Sequence, residues 1–91
     1  MKQVREQQVT TYWWHADIEG SPLSCVIAAS SWTAAKRTAR EAGLNPPKQP
    51  GLCRDSSQQR RAAAHIGCLL LHDDEDDRWW IMTASGRAGL A

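Results

Sequence analysis

No run of the chain approaches the roughly 18–20 apolar residues that a helix needs to cross a bilayer, so no membrane-spanning helix is expected. The first residues, MKQVREQQVTTYWW, carry early charges with no apolar stretch behind them, so a secretory signal is not expected either. Cysteine is scarce and odd in number: Cys25, Cys53 and Cys68 cannot all pair within one chain. The expectation is free thiols in a reducing cytoplasm rather than a disulfide scaffold. An excess of one charge is lacking too. A formal net charge of +1 makes no demand for nucleic acid or a membrane surface as partner.

Motifs that carry chemistry are equally thin. There is no P-loop, HExxH, nucleophile elbow or Cys–His signature, and a 91-residue domain has little room for a substrate cavity, so no catalysis is expected. His15, Cys25, Cys53, His65, Cys68 and His72 are of metal-ligating type. Only His65 and Cys68 stand close together, and no C-x2-C knuckle completes a zinc site. The acidic run at 73–77 lacks the turn glycine and later glutamate of a calcium loop, so neither metal nor cofactor is expected. No helix-turn-helix, zinc-finger, KH or RRM pattern occurs, which argues against sequence-specific reading of duplex DNA.

What is present is unevenly placed. Residues 1–63 hold nine Lys/Arg against five Asp/Glu, whereas residues 64–91 hold two against five, so the chain is dipolar. Half of its ten carboxylates are consecutive: Asp73, Asp74, Glu75, Asp76 and Asp77. Five tryptophans, two adjacent pairs among them, are many for this length.

Length suits one domain, 1–91, able to bury roughly 60–65% of its unfolded surface. VTTYWWHADI (9–18) alternates as a strand, with Tyr12, Trp14, Ala16 and Ile18 on one face and Trp13, His15 and Asp17 on the other. EGSP (19–22) has turn chemistry and LSCVIAAS (23–30) reads as a second strand, which makes an antiparallel hairpin. Ser30 or Ser31 caps a helix through SWTAAKRTAREAGL, with Trp32, Ala35, Ala39 and Ala42 on one stripe, Gly43 at C′ and Leu44 folding back. Three prolines make 45–57 a connection, and QQRRAAAHIG (58–67) is expected to form a short helical turn at most. HIGCLLLHD and RWWIMTAS form a second hairpin around the acidic tip, and 86–91 is a frayed tail. The expected architecture is α+β: ββ-α-ββ, an antiparallel sheet of about four strands with one helix on one face.

Adjacent tryptophans in a strand must face opposite ways. One helix covers one side, so one member of each pair is either an exposed interface anchor or hidden beneath the proline-rich connection or the N-terminal arm. The basic groups Lys36, Arg37 and Arg40, with Arg60 and Arg61, are either a solvated surface or a grip on phosphate or carboxylate. The acidic tip is in part an ordinary polar turn that discourages edge pairing. That needs one or two charges. Five mutually repelling carboxylates beside Trp79 and Trp80 point further, to a basic partner surface of the kind that holds nucleic acid.

AASSWTAAKRTARE (28–41), followed by CLLLHDDEDDRWWIM (68–82), resembles small phage-encoded anti-CRISPR proteins of a type I-F inhibitor family. In that family a curved antiparallel sheet carries one helix of the form A-S-x-x-x-A-K-R-x-A. Here the pattern runs from Ala29 to Ala39 with one extra residue before the Ala-Lys-Arg. The resemblance covers about 30 of the 91 residues, and the proline-rich segment and acidic tip depart from it. It implies a non-enzymatic inhibitor in the host-cell cytoplasm that binds a Cas7-type or other subunit of the Cascade complex and blocks target DNA. Partner-binding residues are then expected among Asp73, Asp74, Glu75, Asp76, Asp77, Trp79, Trp80, Trp13, Lys36, Arg37 and Arg40, in a monomer or weak dimer. The alternatives are a small nucleic-acid-binding domain, with tryptophans stacking bases, and a self-associating structural module.

Overall fold

The computed structural model describes residues 8–83 and 85–90. Strands β1 (Thr10–Ile18) and β2 (Ser21–Ala29) form the first hairpin, and helix α1 (Trp32–Glu41) follows. Next come the two-residue strand β3 (Gly51–Leu52), helix α2 (Ser56–Ala64), and strands β4 (Leu70–Asp73), β5 (Arg78–Thr83) and β6 (Gly86–Leu90). All pairings are antiparallel in one six-stranded sheet of order β3-β1-β2-β4-β5-β6. No helix among the described residues is long and apolar enough to cross a membrane.

The class is α+β, but the expected sheet of about four strands with one helix is corrected to six strands and two helices among the described residues. The β1–β2 link is also tighter than expected. Only Glu19 and Gly20 form it, both at positive φ (53° and 82°), while Ser21 and Pro22 already pair with Ile18 and Asp17. Two left-handed residues give the turn whose twist matches the flanking strands.

α1 is capped as the sequence implies. Ser31 Oγ accepts from the Ala34 amide at 3.1 Å. At the other end the Leu44 amide donates to the Ala39 carbonyl and the Gly43 amide to that of Arg40, with Gly43 at φ 86°. Ala35 and Ala39 are fully buried, so the helix rests close on the sheet, against Tyr12, Trp14, Leu23, Cys25 and Ile27. Trp32 closes this core at one end, its centroid 5.3 Å from that of Tyr12 and 5.5 Å from that of Trp14. Its Nε1 donates to the Lys48 carbonyl and so fastens the proline-rich segment.

α2 lies on the opposite face. Asp55 Oδ1 accepts from the Ser57 and Gln58 amides, and Ala62 packs against the cluster of Val26, Ala28 and Cys53. The single helical turn expected here is a nine-residue helix. The reason is tertiary: α2 buries Gln58 and Ala62 alone, so its sequence carries almost no apolar stripe. With a helix on each face, β2 is buried without a break from Leu23 to Ala29.

The sheet edges complete the frame. At Gly51 an added Cβ would stand 2.8 Å from the Trp13 carbonyl and 2.9 Å from its ring, so only glycine allows β3 this close to β1. The expected tail is corrected for residues 86–90: they pair along β5 as β6, and Arg87 on that edge meets Glu19 in the β1–β2 turn at 3.2 Å.

Candidate functional site: the acidic hairpin tip

Antiparallel register aligns side chains into rows across the α2 face. One row is apolar: Trp13, Val26, Leu70, Ile81 and Ala88. The next row toward the tip is His15, Ser24, His72, Trp79 and Leu90, and its centre is polar and buried. This row is the foundation of the tip.

Asp73 and Arg78 are the last paired residues of the hairpin, leaving Asp74, Glu75, Asp76 and Asp77 as the turn. Asp73 Oδ1 accepts from the Glu75 amide at 3.0 Å and the Asp76 amide at 3.4 Å, which shapes the first half of the turn. Asp77 closes it in the left-handed region, φ 52°, which aspartate tolerates better than most residues. His72, only 7% exposed, lies beneath. Its Nδ1 is 3.0 Å from Asp74 Oδ1 and its Nε2 is 2.8 Å from Asp77 Oδ1, so one imidazole spans both ends of the turn. The ring stacks on Trp79 with centroids 4.1 Å apart and an 18° tilt. Ser24 Oγ donates to Asp74 Oδ2 at 3.1 Å, and Gln58 Nε2 of α2 lies 3.0 Å from His72 Nδ1.

The five carboxylates therefore divide. Asp73, Asp74 and Asp77 hold the turn together, and the side chains of Glu75 and Asp76 project into solvent with no partner among the described residues. Three charges that looked free in the sequence are structural, although Asp74 and Asp77 remain accessible, with side chains 56% and 83% exposed.

The tryptophans divide as well, and none is exposed. Trp79 is 5% exposed, with His72 stacked on it and the Arg61 guanidinium 5.3 Å from its ring. On this face Trp79 is covered from α2, a segment not among those expected to hide it. Trp13 is half-buried on that face, edge-on to His15. Trp80 is half-buried on the α1 face, with the Arg87 guanidinium 4.8 Å from its ring. Lys36, Arg37 and Arg40 do not join the site, because α1 packs on the opposite face from α2.

Sequence reasoning did not single out Ser24 or Gln58 as parts of this site, and placed His72 there only as a metal ligand. A serine mid-strand and a glutamine in an unassigned segment acquire a role once the register and α2 bring them to one imidazole. Among the described residues, no group of three or more His, Cys, Asp or Glu is arranged to hold a metal ion. No family model, no curated protein sequence and no solved structure matches the chain.

Proposed function

We propose that this protein is a non-enzymatic binding protein whose acidic hairpin tip docks on a basic, nucleic-acid-binding surface of a host nucleoprotein machine. The resemblance of residues 28–41 and 68–82 to a phage inhibitor family favours a type I Cascade complex as that machine. In this reading the tip imitates phosphates, engaging lysines and arginines that otherwise hold guide or target strands, and so blocks target DNA.

One observation carries the reading. The tip is a braced structure: a buried histidine and a serine hold the Asp74 and Asp77 carboxylates and Asp73 holds two turn amides, while Glu75 and Asp76 point outward with no partner among the described residues. A loop needed only for solubility has no use for such bracing, whereas preorganised charges lose less entropy on docking. Base stacking gets less support, since Trp79 is buried with His72 on its ring.

The test is target-DNA binding by reconstituted type I Cascade, read by gel shift with increasing amounts of this protein. Wild type is expected to abolish the shifted band. The pair Glu75→Lys and Asp76→Lys, which leaves the bracing intact, is expected to weaken inhibition about tenfold or more at low salt, with a smaller difference at high salt. Full inhibition by the doubly reversed variant defeats the electrostatic mechanism, and no inhibition by wild type defeats the choice of target. Direct, salt-dependent binding of the protein to single-stranded oligonucleotide would favour the nucleic-acid-binding alternative instead.

A further inference from the structure

Two groups with opposite hydrogen-bonding demands stand at the same distance from one nitrogen. Asp74 Oδ1 is an acceptor and Gln58 Nε2 a donor, and each lies 3.0 Å from His72 Nδ1. Nδ1 serves only one of them at a time: it carries a proton for Asp74 or offers a lone pair to Gln58. The far end of the amide points away from the ring: Gln58 Oε1 lies 3.5 Å from the Cys53 thiol, whose other acceptor is the Asp55 carbonyl at 3.7 Å, so the amide nitrogen faces His72. Burial pushes the Cys53 pKa up, which keeps that thiol a donor. The other ring nitrogen has no such conflict. His72 Nε2 faces Asp77 Oδ1 at 2.8 Å and can donate to it whether the ring is charged or neutral.

We propose that His72 is a proton-operated latch on the acidic tip, and that Asp74 is the carboxylate it releases. As imidazolium, the ring donates from both nitrogens and ties Asp74 to Asp77. As neutral imidazole, it keeps its Nε2 proton on Asp77 and accepts from Gln58 at Nδ1. Among the described residues, Ser24 alone then holds Asp74. Loss of one proton frees a carboxylate oxygen and makes the tip more negative by one charge. Histidine is the side chain suited to this between pH 5 and 8.

The surroundings permit the change. Around the ring stand Asp74 and Asp77 from the tip, Ser24 from β2, Gln58 from α2, and Asp55 at the α2 cap, near enough to interact electrostatically with His72. Arg61 of α2 lies over the same Trp79 on which His72 stacks, and His15 stands beside Ser24 in the row. Asp74 also borders an open groove of about 450 Å³ whose lining includes Arg54 and Asp55, so on release it meets open space.

The consequence for binding rests on the tip-docking reading. A partner lysine or arginine competes with the imidazolium for Asp74, so docking releases a proton and tightens as pH rises. The latch itself does not depend on that reading and is tested in the free, full-length protein. Nitrogen-15 NMR of the His72 ring and the backbone amides is followed from pH 5 to 8. The neutral ring is expected to carry its proton on Nε2, and the Asp74 and Ser24 amides to titrate with the ring's midpoint.

Two variants then move that midpoint in opposite directions, which a purely space-filling role does not predict. Asp74→Asn lowers it, because the cation loses a carboxylate. Gln58→Leu raises it, because the neutral ring loses its donor. A neutral ring protonated on Nδ1, Asp74 and Ser24 amides indifferent to the titration, or midpoints that move the same way overturns the latch. Decalysine then probes the docking consequence. Binding that tightens with pH in wild type but not in Asp74→Asn supports it, and pH-independent wild-type binding overturns the coupling alone.

Discussion

The two faces of the sheet are built from the same strands yet have different interiors. Beneath α1 the central row is apolar, with Trp14, Cys25, Leu71 and Trp80 in one line and alanines from the helix above. Beneath α2 the apolar cluster is smaller, and the row nearest the tip carries Ser24 and His72, which hydrogen-bond with Asp74 of the turn and Gln58 of α2. The α1 face holds the fold together by burying apolar surface, which is non-directional and tolerates exchange of side chains. The α2 face gives up apolar burial for a network that positions one loop, and such a network works only when every member is satisfied.

The largest test of this contrast is a pair of neighbours. Leu71 and Leu70 are both fully buried, but Leu71 belongs to the α1 core and Leu70 faces α2. Leu71→Ala is expected to cost about 3–4 kcal/mol in urea unfolding, a large share of a small domain's stability, and Leu70→Ala less. Equal losses would mean that the two faces contribute alike.

The helix caps come next. Ser31→Ala is expected to cost α1 about 1 kcal/mol at every pH, because no ionisable group is involved. The α2 cap is ionisable. Its backbone amide partners, Gln58 foremost, hold the Asp55 carboxyl below its usual 3.8, so its contribution is complete above that value and is lost as pH falls through the lower folded-state value. Urea midpoints measured at pH 3 and pH 7 are expected to converge in Asp55→Asn relative to wild type, while Ser31→Ala keeps the wild-type pH dependence.

The smallest effect is kinetic. Burial pushes the Cys25 pKa up to about 12, so essentially no thiolate exists there at pH 8. Alkylation is expected first at half-buried Cys68, next at Cys53 when α2 opens locally, and last at Cys25 on global unfolding. Mass spectrometry of digests along a urea series gives the order. Cys25 labelling before Cys53 would reverse the assignment of the stronger face.

Legibility along the chain follows the strength of local signals. The first hairpin was readable because the alternation of Tyr12, Trp14, Ala16 and Ile18 against Trp13, His15 and Asp17 has the period of a strand. α1 was readable because Ser31, the alanine stripe, Gly43 and Leu44 each act within a few residues. β6 was not. Gly86, Arg87, Ala88, Gly89 and Leu90 have little intrinsic preference for a strand, and pairing with β5 alone makes them one. α2 buries only Gln58 and Ala62, so its length could not be inferred from periodicity.

By itself the sequence determined the α+β class, the place of the acidic turn and the opposite facing of each tryptophan pair, since strand period and turn chemistry are local properties. Only the tertiary structure decided that Trp79 is covered, that Asp74 and Asp77 brace the turn through His72, and that Glu75 and Asp76 are left to face outward. Those outcomes depend on register between β2, β4 and β5 and on where α2 lands. Register and docking bring together residues tens of positions apart, such as Ser24 and Asp74, and no local preference encodes such a meeting.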